Sequence, residues 1–144
     1  MNFNNKLYEW SKNRIELNED NPEAVDEIKK IARRLKIEFN EIISHFNISK
    51  EEGKTNYRKL NVYLPTDIEE LKNLLNKYED LWSDSLNEEY KKILKRLSDY
   101  SFKLSNFTEY TTEELNEEEK EIIDSLKNTV RTINKVIRDF EFKR

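Results

Sequence analysis

Residues 25–46 read VDEIKKIARRLKIEFNEIISHF. Val25, Ile28, Ala32, Leu35, Phe39, Ile42 and Phe46 follow one another at steps of three, four, three, four, three and four. An α-helix turns once every 3.6 residues, so that spacing stacks all seven side chains on one face. Ile31 and Ile43 flank the seam and widen it toward the stripe that a bundle helix buries. Asn21-Pro22 precedes the stretch, an N-cap residue followed by proline at the first helical position. The reading is a helix over about residues 22–47 that needs partner helices on its apolar side.

The same spacing extends outward. Phe3, Leu7 and Trp10 share a face and predict a helix over about 3–17. Thr66-Asp67-Ile68-Glu69 has the form of a capping box, which places the next start at residue 66. Ile68, Leu71, Leu75, Tyr78 and Trp82 then carry a helix over 66–82. A second capping box, Ser85-Leu86-Asn87-Glu88, opens a helix over 86–107 with Tyr90, Ile93, Leu97, Tyr100, Leu104 and Phe107 inward. The last helix runs over 117–141 through Ile123, Leu126, Val130, Ile133, Ile137 and Phe140, with cap candidates at Thr111 and Asn116. Residues 48–65 interrupt the pattern. Leu60, Val62 and Leu64 alternate with polar neighbours like a short strand, so the expectation is a long irregular connection. Together these readings predict an all-α, antiparallel bundle of about five helices in a single domain over 1–144.

Composition fits that class. The 144-residue chain has one glycine and two prolines, too few for the turns of a sheet protein. It has no cysteine, hence no disulfide or thiolate metal site. No apolar run approaches a membrane span, and Met1 to Lys6 lack a signal-like core, so a cytoplasmic protein without membrane contact is expected. The wealth of Asn, Lys, Ile and Glu points to an AT-rich bacterial or phage genome.

Net charge is -4, and its distribution is uneven. Residues 29–59 hold nine Lys or Arg against four Asp or Glu, while residues 108–125 hold eight acids against one lysine. The acidic start and basic end of the last helix both complement its dipole. On the 22–47 helix, Lys29, Lys30, Arg33, Arg34 and Lys36 are expected to project away from the seam, with Ile37 among them. Lys54, Tyr57, Arg58 and Lys59 follow in the connection. These residues form the candidate binding surface, for a protein partner or, alternatively, for a nucleic-acid backbone with a base stacked on Tyr57.

Catalytic and metal chemistry finds little footing. Gly53-Lys54-Thr55 matches the end of a phosphate-binding loop, but position 48 is isoleucine where that loop needs glycine. His45 is the only histidine, and it falls beside the seam as a boundary residue. The carboxylate pairs stand at expected helix starts or in loops, where capping and solvation account for them. A bundle hydrolase would line its interior with carboxylates for magnesium, whereas these seam positions are apolar or aromatic. The sequence therefore predicts a non-enzymatic interaction protein without cofactor or metal. It would regulate, and most naturally inhibit, a partner, as immunity proteins, antitoxins and phage-encoded inhibitors do. Heptad helices also make a homodimer possible.

Overall fold

A computed structural model describes residues 2–141. It is the expected all-α antiparallel bundle: α1 (Asn2–Leu17), α2 (Pro22–Ile48), α3 (Tyr57–Lys77), α4 (Asp84–Ser105) and α5 (Thr112–Glu141). A small hairpin, β1 (Lys50–Glu51) and β2 (Lys54–Thr55), links α2 to α3, and a 3-10 turn over Phe107–Glu109 links α4 to α5.

The α2 seam is buried along its whole length, from Val25 to Phe46. The Asn21 side chain accepts from the Ala24 amide, with Pro22 in the first turn, as the cap reading requires. At the other end, Ser49 closes the helix by donating both its amide and its hydroxyl to the His45 carbonyl. α5 begins five residues ahead of the expected start. Thr111 and Glu114 form a reciprocal capping box there: the Glu114 amide donates to Thr111 Oγ1 and the Thr111 amide to Glu114 Oε2. Phe140, the last member of the expected seam, lies outside the residues whose side chains are described.

The 48–65 connection is not irregular. Glu52 (φ 53°) and Gly53 (φ 77°) both take left-handed backbone, the turn that a two-residue hairpin demands. Lys50 pairs with Thr55 and Glu51 with Lys54. Asn56 then caps α3 by accepting from the Lys59 amide at 3.0 Å. The helix consequently starts at residue 57, nine before the expected Thr66, and ends at Lys77 rather than 82. The alternation at 60–64 is misleading because helical period governs it: Leu60, Leu64, Leu71 and Leu74 are buried, while Val62 is 71% exposed. Pro65 stands inside the helix on its exposed side. Thr66-x-x-Glu69 therefore caps nothing. The α4 cap is Ser83, whose hydroxyl accepts from the Leu86 amide, two residues before the second box.

Side-chain links fix the helix directions. His45 of α2 meets Asp67 of α3. The Tyr90 hydroxyl of α4 donates to the Leu71 carbonyl of α3. Arg96 and Lys103 of α4 pair with Glu121 and Glu118 of α5. Thr55 of the hairpin donates to Glu119 of α5. Helices α2 to α5 thus run alternately up and down. The shorter α1 packs against α5, α4 and α2, with Phe3 against the Phe39 and Tyr90 rings and Trp10 4.8 Å from Trp82. The Trp10 indole donates to the Leu81 carbonyl at 2.6 Å, which ties α1 to the α3–α4 turn.

Candidate functional site

The extension of α3 back to residue 57 brings two polar stripes face to face. On α2, Arg34, Glu38, Glu41 and His45 step by four, three and four, so they share a face beside the seam. On α3, Tyr63, Asp67 and Glu70 step by four and three. The helices are antiparallel, so His45 lies opposite Tyr63 and Asp67, Glu38 lies opposite Glu70, and Glu41 stands between.

The contacts are close. His45 Nδ1 lies 2.7 Å from Asp67 Oδ2, and the imidazole stacks on the Tyr63 ring at 4.5 Å and 12°. Arg34 Nη2 lies 2.9 Å from Glu38 Oε1. Donor atoms of Glu41, His45 and Asp67 all fall within 4.8 Å of one another, and those of Glu38, Glu41 and Glu70 do the same. Glu38 and Asp67 are each 1% exposed, whereas Glu41, His45 and Glu70 are half-buried and open toward solvent.

Charge is the difficulty in this site. Four carboxylates face one imidazole and one guanidinium. Burial, a hydrogen bond shared with the Glu70 carboxyl and the Glu70 charge together push the Glu38 carboxyl up to about 7, while Arg34 opposes the rise. Burial also raises Asp67; His45 pulls it back down, and Glu41 and Glu70 add to the increase. Tyr90, buried on α4, is raised by its own desolvation and by the Glu38 charge. Among the described residues Glu38 Oε2 is buried without a donor in hydrogen-bonding geometry. A buried carboxylate oxygen without a donor costs several kcal/mol unless a proton or a cation supplies the missing charge. Around an ion with oxygen ligands at about 2.1 Å, adjacent ligands stand about 3 Å apart and opposite ones about 4.2 Å. The donor atoms of each triad lie within 4.8 Å of one another, so a small closing movement would bring them to those separations.

This cluster went unread in the sequence. Glu38 completes the buried stripe Ile28-Ile31-Leu35-Glu38-Ile42, and Asp67 completes Leu60-Leu64-Asp67-Leu71-Leu74. A lone acid at helical spacing between apolar residues is the available signal. Placing the α3 start at 66 turned Asp67 into a capping residue and hid it. The expected seam positions are apolar or aromatic, but the buried stripe is wider than the seam and takes in Glu38 and Asp67 beside it; His45, read as a boundary residue, is half-buried and bonded to Asp67.

The predicted binding residues divide into two groups. Lys30, Arg33 and Ile37 are exposed on α2, Ile37 at 54%. Lys36 is half-buried, and Arg34 is committed to Glu38. Lys29 does not project outward: it is 2% exposed, because the buried stripe is wider than the heptad seam and covers its aliphatic stem. The second group sits at the far end of α2. Lys54 is on the hairpin. The Tyr57 hydroxyl donates to Asn116 Oδ1 at 2.6 Å. The Arg58 guanidinium lies over the Phe107 ring, and Lys59 is 4.0 Å from Glu51. From Arg33 to Ile48 the helix rises about 22 Å, so the two groups are separate patches.

Comparison with protein families, with curated proteins and with solved structures finds no match for this chain.

Proposed function

We propose that the protein is a divalent-cation-binding helical bundle whose ion sits between α2 and α3. The observation that carries this reading is the buried Glu38 oxygen left without a donor among the described residues, facing Glu41 and Glu70 and adjoining the His45–Asp67 pair. An ion-pair network alone would satisfy Asp67 through His45 and half of Glu38 through Arg34. Among the described residues Glu38 Oε2 then has no donor except a proton shared with Glu70, and where both acids are ionised the site holds excess negative charge. Carboxylate oxygens with one imidazole suit a hard or borderline ion of the Mg2+ or Mn2+ kind. The half-open side at Glu41 and Glu70 leaves room for water ligands. The role assigned is binding, and the ion would lock α2 against α3.

Titration calorimetry with MnCl2, after EDTA treatment and dialysis, tests this. We expect saturable heat and a rise in Tm, both lost in Glu38→Gln and Asp67→Asn and both kept in Glu113→Gln, an exposed acid at the start of α5. Neither heat nor a Tm shift with millimolar Mn2+, Mg2+ or Zn2+ would sink the proposal.

A regulatory, partner-binding role is a second reading, supported by one feature of the surface. Ile37 is half exposed between Lys30, Arg33 and Arg34, an apolar anchor among cations of the kind that forms interface hot spots. A protein partner, such as the target of a small inhibitor, fits this composition. Capture from the native host with the wild type and with a Lys30→Ala, Arg33→Ala, Ile37→Ala variant is the test. A partner recovered equally by both would place its interface elsewhere. The nucleic-acid alternative for the basic residues calls for affinity that falls steeply with salt; no binding at low ionic strength would end it.

A further inference from the structure

A second built feature lies where the hairpin docks on the first half of α5, and it shares no residue with the cation cluster. A hollow of about 350 Å3 opens between them. Lys50 and Lys54 of the hairpin and Lys120 and Lys127 of α5 line it, together with the carboxylates of Glu119 and Asp124. The hairpin is anchored: Thr55 Oγ1 donates to both oxygens of Glu119 at 2.9 and 2.7 Å, and Glu119 is buried. That bond, with the tight turn at Glu52-Gly53, fixes the hairpin beside α5, so that Lys50 and Lys54 line the same hollow as Lys120 and Lys127. None of the four lysines is ion-paired among the described residues.

Four ammonium groups around one concavity repel each other. Glu119, whose oxygens accept from the neutral Thr55 hydroxyl, and Asp124 offset two of the four charges, which leaves the hollow with a positive excess of two. A multivalent anion relieves that repulsion by bridging lysines from both elements, and lysines are effective point-charge partners for phosphate. The volume falls at the small end of the range for ligand pockets and fits a di- or triphosphate group. We infer that this hollow is a binding site for a small polyphosphate anion, either free or carried on a nucleotide. The inference is independent of the α2–α3 cation.

The test uses the full chain in EDTA, so that failure of the cation reading cannot mask the result. Inorganic pyrophosphate and tripolyphosphate are titrated at low ionic strength, followed by ATP. We expect saturable binding, weakened at least tenfold in Lys54→Ala/Lys127→Ala and unchanged in Lys91→Ala/Lys95→Ala, which removes two exposed α4 lysines. Stronger binding of ATP than of tripolyphosphate would identify a nucleotide as the source of the phosphates, and equal binding the free anion. Absence of saturable binding at low salt would overturn the inference. So would equal losses in both double variants, which would mean diffuse attraction. A single-stranded oligonucleotide that binds where neither polyphosphate does would also overturn it, in favour of a nucleic-acid surface.

Discussion

Glu38→Gln gives the sharpest test of the α2–α3 site, because its effect on stability has a definite sign and pH range. Glu38 ionises at about 7 in the fold against 4.5 when unperturbed. Its surroundings therefore favour the neutral acid. Below about pH 4.5 the group is protonated folded and unfolded, and costs nothing. Between 4.5 and 7 the unfolded chain ionises first, so stability falls as pH rises. Above 7 the fold carries the full cost of the buried charge. At about 1.4 kcal/mol per pH unit, the gap from 4.5 to about 7 is worth about 3 kcal/mol. The carboxamide keeps the shape and is neutral at every pH. It forfeits the Arg34 ion pair, whose half-exposed guanidinium limits the loss to about 1 kcal/mol. In EDTA, urea unfolding followed by circular dichroism should find Glu38→Gln more stable than wild type by about 2–3 kcal/mol at pH 8. The gain should vanish at pH 4. The groups facing Glu38 are Arg34 and Glu41 on α2, Glu70 on α3 and Tyr90 on α4, so Glu70→Gln should flatten the same slope in part. With saturating Mn2+ at pH 8 the order should reverse, since the ion stabilises only the carboxylate. A variant less stable than wild type at pH 8 in EDTA, or a pH slope left intact, would refute the reasoning.

Three further outcomes test the helix boundaries and the core. Pro65→Ala should raise stability, by up to about 3 kcal/mol, because proline within a helix forfeits a backbone bond; a neutral or negative effect on the urea midpoint would mean that α3 starts near residue 66. Thr111→Ala should cost about 1 kcal/mol through loss of the α5 cap, read in the same unfolding experiment. Leu64→Ala should cost about 2–5 kcal/mol, the range for a fully buried leucine. The exposed neighbour Val62→Ala should stay within about 0.5 kcal/mol, and comparable losses at the two positions would contradict the helical phase of α3.

Each strongly periodic helix is written in the chain's own residue spacing. The spacing from Val25 to Phe46 is a local property, since every turn of an α-helix repeats the same geometry, and α2 follows it throughout. The same holds for α1, α4 and the inward face of α5. Local chemistry also announced caps, yet two of the capping-box patterns named no real cap. A capping-box pattern costs nothing mid-helix or two residues past the true cap, and tertiary burial chose between the possible starts. Leu60 and Leu64 needed a place in the core, so the helix began at Asn56 and carried Pro65 on its open side. Only that choice set Asp67 and Glu70 in phase with Glu38, Glu41 and His45. The two half-sites lie about 25 residues apart in the chain, and neither has the form of a motif. Their meeting depends on the register of α3 against α2, which hydrophobic packing between the two helices fixes. The lysine hollow has the same origin: Lys54 and Lys127 line one concavity because Thr55 bonds to Glu119 between the hairpin and α5, a contact no local pattern contains.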